Sequence, residues 1–68
     1  MSTSDLAELS TIGAQLEDLA HRVVLIGDRY RPSPDSVVTN DLDLAERSLV
    51  AARRAVARAA RTLSLIHI

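Results

Sequence analysis

The residues able to do acid–base or metal chemistry in this 68-residue chain gather in one place. Glu17 and Asp18 precede His21 by four and three positions, a spacing that brings all three onto neighbouring parts of one helix surface. A carboxylate pair can serve as general acid and base, but one member then needs a pocket that raises its pKa. The surrounding Leu and Ala residues supply none. One imidazole beside carboxylates is the usual make-up of a solvated helix face, and too few ligands for a transition metal. The second histidine, His67, is far away in the chain. There is no Cys, which removes thiolate zinc sites, thiol nucleophiles and disulfides. Gly13 and Gly27 fit neither phosphate-binding glycine motif, and no His is placed to activate a Ser. The sequence therefore predicts no enzyme, cofactor, metal or small-molecule substrate.

A second chemical feature is cationic. From Arg47 onward the chain carries five Arg and no acid. On a helix, Arg47, Arg54, Arg58 and Arg61 fall in a stripe about 60° wide. Guanidinium forks suit phosphate and carboxylate, so this stripe is a candidate anion or nucleic-acid contact. The net charge of -1 and a single aromatic residue, Tyr30, do not favour that use, since base-stacking partners are missing.

These residues need elements to carry them. Apolar residues make up 47% of the chain and are almost all Ala, Leu, Val and Ile, a composition suited to close helix packing. Both prolines lie in Arg31–Pro32–Ser33–Pro34–Asp35, halfway along. Pro32 pushes Arg31 out of the helical region, and Ser33–Pro34 reads as an N-cap followed by a first-turn proline. The expected fold is all-α: an antiparallel two-helix hairpin over 1–62, with helix 1 about 4–30, a turn at 31–33 and helix 2 about 34–63. Acids early and arginines late in each helix match the helix dipole.

Apolar residues recur in heptads. Leu9, Leu16, Val23 and Tyr30 form one row of helix 1, and Ile12, Leu19 and Ile26 another; Leu42, Leu49, Val56 and Leu63 with Ala45, Ala52 and Ala59 repeat the pattern in helix 2. Folded about the prolines, an Ala-rich coiled-coil seam pairs Leu9 with Ala59, Ile12 with Val56, Leu16 with Ala52, Leu19 with Leu49, Val23 with Ala45 and Ile26 with Leu42. Tyr30 should close the open end against Val37 and Val38, with Arg29 beside Asp41.

One flank of that hairpin would remain unfinished. Gly13, Ala20 and Gly27 recur every seven residues beside the seam, with Leu6 and Val24 near them and Val50, Ala57 and Ala60 on helix 2. Glycine inside a helix costs about 0.5–1 kcal/mol relative to alanine, so its recurrence implies close approach of another helix. An isolated hairpin of this size struggles against chain entropy, and a dimeric four-helix bundle is the economical remedy. The expected partner is a second copy or another helical protein, with nucleic acid as the alternative.

The last six residues, Leu63–Ser64–Leu65–Ile66–His67–Ile68, break the Ala/Arg pattern. Arginine without lysine is what a GC-rich bacterial genome encodes, whereas this tail is the translation of CTG TCT CTT ATA CAC ATC. That string resembles the transposon end used in sequencing libraries, so 63–68 is expected to be a non-native tail on a truncated chain. In outline the chain resembles the small helical-hairpin proteins of high-GC bacteria, the WXG type among them. Its turn reads Tyr30–Arg31–Pro32–Ser33–Pro34 where that group has Trp-x-Gly, and no residue role carries over. No stretch approaches the roughly 20 apolar residues of a membrane span. A cytoplasmic location is expected.

Overall fold

The computed structural model describes residues 2–32 and 36–66, and these form two helices joined by a turn. Helix α1 spans Ser2–Tyr30 and α2 spans Ser36–Ile66. α1 stops where Pro32 forbids Arg31 helical angles, and residues 31–32 form the turn. The expected cap at Ser33–Pro34 lies outside the described residues. α2 runs through Ile66, and its strong helix formers, Ala51 to Ala60 interleaved with Arg, account for its uninterrupted course.

The helices run antiparallel. Gly27 near the end of α1 lies beside Leu42 near the start of α2, whose Cβ is 3.8 Å from where a Cβ on Gly27 would sit. At the opposite end Leu9 and Gly13 share one groove with Val56 and Ala60. The result is a single layer of two rods, 54 × 14 × 11 Å across the Cα atoms.

The seam differs from the expected one by a rotation of both helices. Ala20 and Gly27 are buried, and Leu6, Leu9, Ile12, Gly13, Leu16 and Val23 are half-buried. Leu19 and Ile26, assigned to the seam, are 41% and 40% exposed. On α2 the half-buried rows are Leu42, Leu49, Val56 and Leu63 with Thr39, Glu46, Arg53 and Ala60, while Ala45, Ala52 and Ala59 are exposed. The Ala-rich pairing scheme is thus corrected. The row Leu6–Gly13–Ala20–Gly27 faces the row Leu63–Val56–Leu49–Leu42. At Gly27 the small residue receives a large one, Leu42, and the axes approach there, whereas a Cβ added at Gly13 would meet nothing within 4 Å.

Two smaller expectations also change. Tyr30 is 45% exposed and Val37 is exposed, so the tyrosine does not close the end of the seam. Among the described residues, Arg31 in the turn pairs with Asp43 of α2 at 3.5 Å and lies 3.4 Å from Asp28. Arg29 and Asp41 are both exposed.

A four-residue step from Gly27 and Leu42 puts Glu46 level with Val23, and a further seven puts Arg53 level with Leu16. Half-burying charged side chains loosens the seam, because the charge must stay solvated while the stem packs. Replacing Glu46 by Leu is therefore expected to stabilise the hairpin by about 1 kcal/mol, raising its melting temperature by several degrees. A lower melting temperature for Glu46→Leu would place the carboxylate in a favourable interaction instead.

Candidate functional site

The cluster with the most chemistry in its composition is spread along an open helix surface. Asp18 pairs with Arg22 at 3.7 Å, and both side chains are about two-thirds exposed. Glu17 and His21 are exposed as well. An open depression on α1 is lined by Ser10, Ala14, Asp18 and Arg22 among others, and no second element closes it. Among the described residues no three His, Cys, Asp or Glu side chains converge to hold a metal ion. His67 lies outside the described residues.

The arginine stripe occupies the outer surface of α2. Arg47, Arg54, Arg58 and Arg61 are all exposed, because seven- and four-residue spacing keeps them on the side away from Leu42, Leu49 and Val56. Arg47 donates from Nε to the Asp43 carbonyl oxygen at 3.4 Å, one turn back. Arg61 also borders the groove between the helices, together with Arg53 and Glu17.

The eight residues expected to form a partner face fall into two groups. Ala20 and Gly27 are buried within the hairpin, and Leu6, Gly13 and Ala60 are half-buried along the same seam. At Gly27 the helix that comes close is α2, through Leu42, while an added Cβ at Gly13 would meet nothing within 4 Å. Val24 and Ala57 are exposed and Val50 is half-buried, all on one broad side of the layer. That side is mixed in character. It carries the shallow groove lined by Ser10, Gly13, Glu17, Arg53, Ala57 and Arg61, and the Arg31–Asp43 bridge near the turn.

The opposite broad side is apolar along the rows nearest the seam, with exposed Asp41 toward the turn end. Helix periodicity puts Ile12, Leu19 and Ile26 there on α1, and Val38, Ala45, Ala52 and Ala59 on α2. Every residue in these two rows is apolar, and all but the half-buried Ile12 and Val38 are exposed. Sequence reasoning placed most of these residues inside the hairpin and so missed them as surface. The signal available was the third apolar row of α1: three adjacent rows cannot all face a single neighbour.

No helix among the described residues is long and apolar enough to cross a membrane. Comparisons with protein-family models, with curated proteins and with solved structures find no match to this chain.

Proposed function

We propose that this chain is a non-catalytic assembly module, a cytoplasmic helical hairpin that buries apolar surface against a second copy of itself or another helical protein. The observation that carries this reading is the amount of surface left over. The hairpin exposes 5086 Å². A compact monomer of 7.4 kDa exposes about 4,200 Å² by the usual scaling of area with mass. The surplus is about 900 Å², and among the described residues the buried apolar core is Ala20, slender for an independent domain. Association is the physical route by which such a chain gains burial.

The test is whether stability depends on concentration. A hundredfold rise in protein concentration is expected to raise the melting temperature by several degrees, since association adds about 2.7 kcal/mol per hundredfold excess over the dissociation constant. Sedimentation should show a species of twice the chain mass. A melting temperature independent of concentration, with a monomer throughout, would overturn the proposal.

The rival reading is nucleic-acid association through Arg47, Arg54, Arg58 and Arg61, and the exposure of all four on one side of α2 supports it. Under that reading, duplex DNA is retarded in a low-salt gel shift and released when Arg54, Arg58 and Arg61 are changed to Glu. Under assembly, the same triple variant keeps its oligomeric state and the wild type leaves DNA unshifted.

A further inference from the structure

We infer that the broad side whose rows nearest the seam are apolar, built from Ile12, Leu19 and Ile26 with Ala45, Ala52 and Ala59, is the surface that docks a second copy of this chain, around a two-fold axis parallel to the helices. The inference rests on the assembly reading and deepens it by naming the face, the occupant and the arrangement.

The two broad sides are distinguished by what crosses them. The Arg31–Asp43 bridge and the groove shared by Glu17, Arg53 and Arg61 mark one side as polar and solvated. On the other side the rows nearest the seam hold no charge from Ile12 to Ile26 or from Val38 to Ala59. Leu19 is 41% and Ile26 40% exposed. A standard interface removes about 800 Å² from each partner, close to the surplus of about 900 Å² that this hairpin carries.

Size complementarity selects the arrangement. An axis parallel to the helices lays α1 of one copy over α2 of the other, antiparallel, with nearly the register of the hairpin itself. Leu19 then faces Ala52 of the second copy, Ile12 faces its Ala59 and Ile26 its Ala45, large against small along the whole length. The same arrangement brings Arg29 level with Asp41 of the second copy, both exposed within the single hairpin. An axis perpendicular to the helices would instead set Leu19 on Leu19 and Ala52 on Ala52, overfilling one half of the interface and leaving voids in the other.

The test combines charge insertion with cross-linking, in a chain whose lack of Cys gives a clean background. Leu19→Lys together with Ile26→Lys is expected to raise the dimer dissociation constant at least a hundredfold, while Ala57→Lys on the polar side leaves it within threefold. Chains carrying Leu19→Cys mixed with chains carrying Ala52→Cys should yield a mixed covalent dimer with a short bis-maleimide, and Leu19→Cys alone should not. This second measurement stands even if the lysine variant fails to fold. A dimer that survives Leu19→Lys/Ile26→Lys but is lost on Ala57→Lys overturns the face and keeps the assembly reading. Efficient cross-linking of Leu19→Cys with itself overturns the arrangement. A monomeric wild type sinks both.

Discussion

Ala20→Lys is expected to unfold the hairpin. Ala20 is 7% exposed and, by the register that Gly27 and Leu42 set, lies level with Leu49 at the middle of the layer. A lysine there forces a four-carbon stem into a gap dimensioned for a methyl group, a strain of about 1–3 kcal/mol. Its ammonium would then have to leave the seam sideways or lose hydration, which adds further cost. A chain of this size has only about 3–5 kcal/mol to lose. Most of the helical circular dichroism signal at room temperature should therefore disappear. Ala14→Lys, on an exposed position six residues earlier, should melt within a few degrees of wild type. If Ala20→Lys instead melts with wild type, the seam uses Leu19 and Ile26 after all, and the open apolar side described above does not exist.

Replacing both glycines by alanine is expected to act in the opposite direction. Both have ordinary helical backbones without positive φ. A Cβ on Gly13 would meet no atom within 4 Å, and one on Gly27 would rest 3.8 Å from the Leu42 Cβ in ordinary van der Waals contact. Neither site pushes back, so the helix-propensity gain of about 0.5–1 kcal/mol per site is realised in full. Part of it comes from restricting the unfolded chain. For a domain this small the double variant should melt about 10 °C higher. Thermal melts of Gly13→Ala, Gly27→Ala and the pair check this. A loss of stability at Gly13→Ala would mean that another helix occupies the groove beside Val56 and Ala57, on the polar side.

These two expectations mark where sequence reasoning reached and where it stopped. The recurrence of Gly13, Ala20 and Gly27 reads in the sequence as a signal for another helix beside the seam, and Gly27 lies instead against Leu42 of α2. Which helix approaches was not legible. Likewise the Arg stripe could be placed on an outer surface from spacing alone, because Arg47, Arg54, Arg58 and Arg61 are too hydrophilic to be turned inward by either seam. Glu46 and Arg53 were unreadable as seam residues, since nothing in their own neighbourhood distinguishes them from the exposed arginines.

The sequence by itself determined two helices, the break at Arg31–Pro32 and the antiparallel fold-back. Those follow from local properties: helix propensity, a proline's fixed geometry and a connection too short to allow anything else. Only the tertiary structure decided which two of the three apolar rows of α1 face α2. The row Ile12, Leu19 and Ile26 offers more apolar side-chain area than Gly13, Ala20 and Gly27, so area alone does not select the observed rotation. The observed rotation depends on both helices at once: Gly27 lies against Leu42, and Ala20 is buried level with Leu49. The row left over, Ile12, Leu19 and Ile26, faces outward for that reason.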